Sequence, residues 1–367
     1  MVGYLEDDPR IQVVFTVAPD VFNGEVPAYL SGLGALTLPW DQAIRERFDL
    51  AIAASYGGLR ELHAPLVVMA HGAGHGKRVC PGPQGGRVLA DPPVYGLDAQ
   101  RLVDGGRVLP AALVLSHDSE LKVLRRQCPE ALETAVVVGD PCFDRLAASL
   151  GWRDRYRQAL GVDDGRELVV VSSTWGRNGL FGHAPDLLPT VMTQLPQDRF
   201  RVAALLHPAV WAAHGRRQVR AWLTDCLAAG LLLPDPTQDW RAVVVAADYV
   251  IGDHGSVTAY SAAIGRRVLL LPGLGVSVAS GSPQHLVSVT APKLDLEQPL
   301  TSQLEGAKAV NSDAVRWALT ARPGNAAVLL RRTMYELLRL GEPGRHRQVD
   351  PVPVAHLLSG EPRDATR

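Results

Sequence analysis

Ala247-Asp-Tyr-Val-Ile-Gly-Asp-His-Gly-Ser-Val-Thr-Ala-Tyr-Ser-Ala-Ala-Ile-Gly-Arg-Arg-Val-Leu-Leu-Leu-Pro272 is the stretch on which the reading of this chain turns. It opens with an apolar run, Tyr249–Gly252, and passes through the polar turn Gly252-Asp253-His254-Gly255-Ser256. A helical pattern over Val257–Ile264 and a second apolar run, Arg267–Leu271, complete it. Strand, turn, helix, strand is the repeating unit of a parallel α/β sheet, whose strands read as continuous apolar runs because both faces are covered. The turn lies where the helix begins. Its first backbone N–H groups have no intrahelical acceptor and, with the helix dipole, form an anion site. Asp253, His254, Gly255, Ser256 and Val257 are therefore candidate diphosphate-binding residues. Gly255 allows close backbone approach, and Ser256 and Thr258 add hydroxyl donors. Helix capping by Asp253 or Ser256 is the simpler reading and is compatible with phosphate binding.

The same rhythm extends in both directions. Upstream, apolar runs at Leu50–Ser55, Pro65–His71, Ala111–Ser116 and Thr134–Gly139 alternate with helical patterns at Asp118–Gln127 and Phe143–Leu150. After a turn-rich hinge at Gly161–Gly165, a second series runs through Glu167–Ser172, Phe200–Leu206, Leu231–Pro234, Tyr249–Gly252 and Arg267–Leu271. A long helix is expected over Pro208–Ala229, a helix at Trp240–Ala246 and an edge strand at Val287–Thr290. Asp41 reads as the N-cap of a short helix, and residues 72–110, rich in Gly and Pro, as a functional loop. The fold expected is α/β, with two doubly wound, Rossmann-like parallel-sheet domains facing a cleft. The N-terminal domain takes 1–155 and the C-terminal, nucleotide-binding domain 156–320. A helix over 321–342 packs back across them, and a frayed tail occupies 343–367.

Composition narrows the function. The 367 residues carry 37 Lys+Arg against 38 Asp+Glu, a net charge of −1, which argues against a nucleic-acid-binding surface. Hydrophobic residues make up 47% and charged residues 20%, as in folded soluble proteins. No apolar run reaches the ~20 residues of a membrane span, and Met1–Arg10 lacks the apolar core of a signal peptide, so a cytoplasmic location is expected. The 4 cysteines include no C-x-x-C pair and read as free thiols. Only four lysines (Lys77, Lys122, Lys293, Lys308) accompany many arginines, alanines and glycines, a composition that suggests a GC-rich bacterial genome.

Histidines and hydroxyls stand at the strand ends. In Leu66-Val-Val-Met-Ala-His71-Gly-Ala-Gly-His75-Gly-Lys77 an apolar strand delivers His71 to a glycine-rich loop, a suitable place for a general base. His71 and His75 stand four apart, but three intervening or flanking glycines oppose the helix that would bring both rings to one metal, so no metal site is expected. Phe200-Arg-Val-Ala-Ala-Leu-Leu-His207-Pro208 ends a second strand in histidine, suited to donating to a phosphate across the cleft. Val169-Val-Val-Ser172-Ser173-Thr174-Trp-Gly-Arg177 ends another in hydroxyls followed by an arginine. Val136-Val-Val-Gly139-Asp140-Pro141 reads as a turn at the mouth between domains, where Asp140 caps a helix by default and orienting a partner is the alternative.

These segments resemble, in order and spacing, those of the CDP-glycerol glycerophosphotransferases of teichoic acid synthesis, a GT-B-type family. His71-Gly-Ala-Gly-His-Gly-Lys77 is similar to the family's His-Gly-Thr-Pro-Leu-Lys motif, and Val138-Gly-Asp-Pro-Cys-Phe-Asp144-Arg-Leu to its Gly-Tyr-Pro-Arg-Asn-Asp-x-Leu stretch. Ser172-Ser-Thr-Trp175, Leu206-His-Pro208 and Ala247-Asp-Tyr-Val-Ile-Gly-Asp-His-Gly-Ser-Val257 resemble its Ala-Pro-Thr-Trp, Leu-His-Pro and Ala-Asp-x-x-Ile-Thr-Asp-Tyr-Ser-Ser-Val. The resemblance spans residues 65–275. It implies that an acceptor hydroxyl attacks the β-phosphate of a CDP-glycerol-like donor and CMP leaves, without metal or cofactor. His71 would be the general base, with His207 and Ser256 on the diphosphate. Ser173, Thr174 and Arg177 would lie on the donor side, and Gly72, His75 and Lys77 on the acceptor side. Ala73-Gly74 and His254-Gly255 depart from the family's Thr-Pro and Tyr-Ser. A glycosyltransferase or UDP-sugar epimerase on the same fold, and a non-catalytic nucleotide-binding protein, are the alternative readings. The expected partners are a nucleotide-linked donor and a hydroxyl acceptor, and a homodimer is left open.

Overall fold

Leu168, Val169, Val170 and Val171 are all completely buried. Alternate side chains enter different cores: Leu168 and Val170 pack with Val250 and Val268, Val169 and Val171 with Ile251 and Leu269. A strand covered on both faces needs no polar alternation, which is why the sequence shows an unbroken apolar run. The computed structural model describes residues 2–19, 26–79, 92–162, 165–274, 278–344 and 349–358.

Two parallel sheets form the framework. The first contains β1 (Ala51–Ala53), β2 (Leu66–Met69), β3 (Pro110–Leu115) and β4 (Ala135–Val137), side by side in chain order. The second contains β5 (Glu167–Ser173), β6 (Phe200–Leu206), β7 (Tyr249–Gly252) and β8 (Arg267–Leu270), in the order β6-β5-β7-β8. The winding direction reverses between β5 and β7, which pair in register Tyr249↔Val169 to Ile251↔Val171. A crevice outside the carboxyl ends of the strands at such a reversal is where ligands bind in doubly wound sheets.

Seven helices position the site: α1 (Asp118–Gln127), α2 (Pro141–Ala148), α3 (Pro208–Trp222), α4 (Trp240–Ala246), α5 (Ser256–Ala263), α6 (Pro283–Thr290) and α7 (Ala326–Leu338). Leu124 of α1 joins Val68 and Leu113 on one face of the first sheet, while Leu330, Met334 and Tyr335 of α7 join Val67, Met69 and Val114 on the other. Helices α4 and α5 cover one face of the second sheet; Trp211 and Val219 of α3 cover the opposite one. No helix among the described residues is long and apolar enough to cross a membrane.

Several local expectations are corrected. Val287–Thr290 is the last half of helix α6, not an edge strand: Ser282 accepts from the His285 amide at 3.1 Å and Pro283 takes the first helical position. That cap and proline outweigh the β-branched residues that follow. The long helix expected to reach Ala229 is interrupted at Gly215 (φ 76°, ψ 150°) and ends at Trp222, with a short helix Thr224–Ala228 beyond it. Leu231–Pro234 makes only isolated bridges, Leu232 to Ala203 and Pro234 to Leu357. Asp41 lies inside the first turn of helix Trp40–Ala43, whose N-cap is Pro39. Within the tail, residues 349–358 pack on the second lobe: Val352 is fully buried and its carbonyl accepts from the Tyr156 hydroxyl at 2.7 Å. Residues 345–348 and 359–367 lie outside the described residues, as does Cys80.

Candidate active site

The second lobe contributes a rigid turn. Asp253 is buried at the end of β7, and its Oδ2 accepts from the Thr174 amide at 2.7 Å, the Thr174 hydroxyl at 2.8 Å and the Leu180 amide at 3.0 Å. Its Oδ1 accepts from the Gly255 amide at 2.9 Å. Four donors on one carboxylate lock the loops after β5 and β7 together. A Cβ on Gly255 would stand 2.7 Å from the Thr174 Cγ2, so only glycine fits. Helix α5 begins with Gly255 as its N-cap and no side-chain cap. The amides of Ser256 and Val257 have no hydrogen-bond acceptor among the described residues, and both residues line the cleft. Two open amides, the Ser256 hydroxyl and the helix dipole converge there on a site suited to an anion.

This sorts the sequence-predicted donor residues. Ser256 and Val257 present open donors to the cleft. The Gly255 amide is consumed by Asp253, and Asp253 itself is a clamp, both of its oxygens holding loop donors and the residue standing outside the cleft walls. Ser173 and Thr174 line the cleft, but the Ser173 hydroxyl accepts from the Phe181 amide and donates to the Thr174 carbonyl, while the Thr174 hydroxyl is held by Asp253. Arg177 lies on an exposed turn outside the cleft walls. Thr258 is buried against Gly252 and supplies no cleft donor. His254 faces a separate cavity with Lys293 and Ser288. Burial, opposed by Asp253 and reinforced by the positive Lys77, pushes its pKa below the usual histidine value.

His207 caps α3. Its Nδ1 accepts from the Ala209 amide at 3.1 Å, which places the proton of the neutral ring on Nε2. Burial, then the charges of Lys77 and His71, push its pKa down to about 4, against the opposing pull of Asp253. At neutral pH this ring is an uncharged Nε2–H donor.

The first lobe meets this turn with the loop after β2. Nδ1 of His71 donates to the Ala54 carbonyl at 3.2 Å, which leaves Nε2 as the accepting atom of the neutral ring. A Cβ on Gly72 would come within 3.1 Å of the Ser256 Cβ and Oγ, so the lobes touch at the N-terminus of α5. The loop is pinned to the second lobe in three places. Gln284 Nε2 donates to the Ala73 carbonyl at 3.0 Å, the Ala279 amide donates to the Gly76 carbonyl at 3.0 Å, and Lys77 bridges to Val278. Lys77 therefore sits electrostatically beside His207 and His254 of the opposite lobe.

His71, Gly72, Lys77, His207, Ser256 and Val257 line one interlobe cleft of about 420 Å³, together with Trp211, Pro234 and Trp240. His71 also borders a second cavity of about 520 Å³ with Asp140, Arg145 and Arg241. Asp140 caps α2 by accepting from the Phe143 amide at 2.8 Å and accepts from the Tyr260 hydroxyl of the second lobe at 2.7 Å. Burial pushes its carboxyl up to about 6 despite those bonds. His75, expected on the acceptor side, lines the same cleft, and both its ring nitrogens are engaged: Nδ1 lies 2.9 Å from Glu120 and Nε2 2.9 Å from the Tyr56 hydroxyl. The rings of His71 and His75 thus have unrelated partners. Among the described residues no group of three or more His, Cys, Asp or Glu is arranged to hold a metal ion.

Sequence reasoning missed Glu120, Tyr56, Gln284 and Tyr260. Only Glu120 left a signal, as the third residue of a capping box that begins at His117.

Two Rossmann-like sheets facing a cleft, with the helix start of the second sheet opening into it, define the GT-B type of fold. Solved structures bear this out. The wall teichoic acid polymerase TagF superposes with a TM-score of 0.58 at 13% identity, over 90% of this chain and 90% of that one. The S. aureus MnaA–UDP co-structure gives 0.56 at 12%, over 93% of each chain, and the UDP-GlcNAc 2-epimerase from Neisseria meningitidis bound to UDP-GlcNAc 0.51 at 13%, over 91% and 94%. No protein-family model and no curated protein sequence matches the chain.

Proposed function

We propose that this protein is a transferase that uses a nucleotide-diphosphate-linked donor, of the CDP-glycerol glycerophosphotransferase-like class. The observation that carries the reading is the uncapped start of α5, whose Ser256 and Val257 amides face a cleft shared with His71 and His207. The donor's diphosphate lies on the Ser256 and Val257 amides and the Ser256 hydroxyl, with His207 Nε2–H and the Lys77 ammonium completing the cradle. The acceptor alcohol attacks the β-phosphorus while Nε2 of His71 receives its proton. The bond from that phosphorus to the bridging oxygen breaks, and CMP leaves with the electron pair. Fixed amides and a neutral imidazole donor stabilise the growing charge without reorganising, which is where most of the acceleration of such transfers arises. Matched structures of TagF, two of them soaked with CDPG, support the donor class.

Calorimetric titration with CDP-glycerol, CDP-ribitol and UDP-sugars tests this. Binding of a CDP-linked donor, with CMP and a phosphodiester as products, is the expected result. Failure of all the donors to bind rejects it. A UDP-linked donor is the second reading, favoured by the likeness to the MnaA–UDP and epimerase structures. Release of a free nucleoside diphosphate with a glycoside, or an epimerised UDP-sugar, would establish it. His71→Ala is expected to lower turnover and leave donor affinity near wild type.

A further inference from the structure

The loop that carries His71 lies over a buried carboxylate that its own shape does not require. Glu120 is the third residue of α1, and its Oε2 accepts from the Ser116 amide at 2.7 Å and the His117 amide at 3.3 Å, as a capping-box glutamate does. Capping accounts for that oxygen only. The other, Oε1, accepts from the His75 amide at 2.7 Å and from His75 Nδ1 at 2.9 Å. The carboxylate has no proton to give, because burial, which pushes its pKa up, is outweighed by the His75 ring and the amides, holding it at about 2. Nδ1 of His75 therefore carries a proton in every state of the ring. Gly74 (φ +60°) makes the approach possible: a Cβ there would lie 2.8 Å from Ser116 Oγ and 2.9 Å from Glu120 Oε1.

On the other side of the ring, Nε2 is 2.9 Å from the Tyr56 hydroxyl, which is also 3.1 Å from the Gly96 carbonyl. The Tyr56 hydroxyl can meet the ring in two protonation states. With a neutral ring, Tyr56 donates to Nε2. With a cationic ring, Nε2–H donates to the Tyr56 oxygen and the Tyr56 hydroxyl donates to the Gly96 carbonyl. Both Tyr56 and His75 line the cleft beside His71 and Lys77. The charged and titratable groups around this chain of bonds are Glu120, Tyr95, and the paired Asp98 and Arg101.

We propose that Tyr56, backed by His75 and Glu120, is a second proton-accepting route in the cleft, so that His71 is not the only base available to the acceptor alcohol. Tyr56 is the catalytic residue of this route; His75 and Glu120 position and charge it. As the alcohol oxygen bonds to phosphorus, its O–H breaks and the proton passes to the Tyr56 oxygen. The proton of Tyr56 passes to His75 Nε2. The products are neutral Tyr56, an imidazolium held by the Glu120 carboxylate, the new phosphodiester, and the nucleoside monophosphate, which leaves with the electron pair of the broken bridging P–O bond. An imidazole with a carboxylate on its far nitrogen is the better base, because the cation it forms is stabilised at once. The step rests on the transferase reading above.

The test separates the two. Nitrogen NMR of the full chain labelled in histidine reads the His75 tautomer without any substrate: Nδ1–H is expected, with Nε2 shifted in Tyr56→Phe. A ring protonated on Nε2 alone, or one indifferent to Tyr56→Phe, overturns the relay whatever the donor turns out to be. With CDP-glycerol and an alcohol acceptor, Tyr56→Phe and His75→Gln are each expected to lower kcat by about twofold in the wild type and by about 100-fold in the His71→Ala background, and to reduce its solvent isotope effect, with donor affinity within about twofold. Unchanged kcat in variants that melt as wild type does, or kcat and donor affinity falling together, also overturns it. Absence of donor binding by the wild type rejects the transferase reading, and the tautomer measurement then decides the relay alone.

Discussion

Two glycine-rich loops meet in the cleft, 71–77 from the first lobe and 253–257 from the second, and each is shaped by one buried carboxylate. Asp253 belongs to its own loop and gathers amides from it and from the loop after β5. Glu120 belongs to a helix and reaches out to a loop from a different strand. The outcome differs in kind. The second lobe leaves helix amides open, fixed dipoles whose strength does not depend on pH. The first lobe presents imidazoles, which exchange protons. A cleft between such loops divides the work of transfer: one side holds charge, the other moves a proton.

The comparison is broken most forcefully by removing a clamp. Asp253→Ala leaves the Thr174, Leu180 and Gly255 amides buried without an acceptor and is expected to cost about 3–5 kcal/mol in denaturant unfolding. An equal stability in that variant would show that the second loop does not need its carboxylate. For the first lobe the corresponding lever is pH. The Glu120 carboxyl is depressed from 4.5 to about 2, so its ionised form stabilises the fold fully above the unfolded value and loses that contribution as pH falls towards 2. A depression of that size is worth about 3 kcal/mol. Glu120→Gln is expected to flatten the acid side of the stability–pH curve over that window; a curve parallel to wild type would contradict it.

Ser256→Pro sharpens the contrast between dipoles and side chains. Proline suits the first position of a helix, and Gly255 before it already has extended angles (φ −70°, ψ 160°), so α5 is expected to persist. One open amide and the hydroxyl are lost, and donor affinity measured by calorimetry is expected to fall by about 2–3 kcal/mol, with Ser256→Ala losing about 1 kcal/mol. Equal losses in the two variants would mean that the amide does not bind the donor. Arg177→Ala is the smallest expected effect, donor affinity within about twofold of wild type, because Arg177 lies outside the cleft.

Much of the framework was legible before any coordinates. The strands at Phe200–Leu206 and Tyr249–Gly252 and the helices at Asp118–Gln127 and Trp240–Ala246 have the limits that their apolar runs and caps mark. The strand-end positions of His71, His207 and Ser256 were legible for the same reason: an apolar run buried on both faces must stop where polar groups begin. The partners of those groups were not. Asp253 reads as a ligand residue or cap, and nothing local says that its oxygens reach Thr174, 79 positions away. His75 reads as a cleft residue, and nothing local says that its ring is met by Glu120, 45 positions away.

The sequence by itself determined the two sheets, because periodicity and burial of apolar side chains are local properties repeated along the chain. It also determined that a polar, glycine-containing turn and a helix start follow β7, because the apolar run stops at Gly252 and helical periodicity begins at Val257; that Gly255 is the N-cap and leaves the start uncapped came from the structure. Only the tertiary structure decided which amides remain open, which imidazole faces a carboxylate, and that Gly72 abuts Ser256 and Gln284 holds Ala73 from 211 positions away. Hydrogen bonds of 2.7–3.0 Å between distant segments depend on how strands and helices pack within each lobe and, for Gln284 and Ala73, on how the two lobes are set against each other. That geometry is fixed by the packed whole and by no single stretch of the chain.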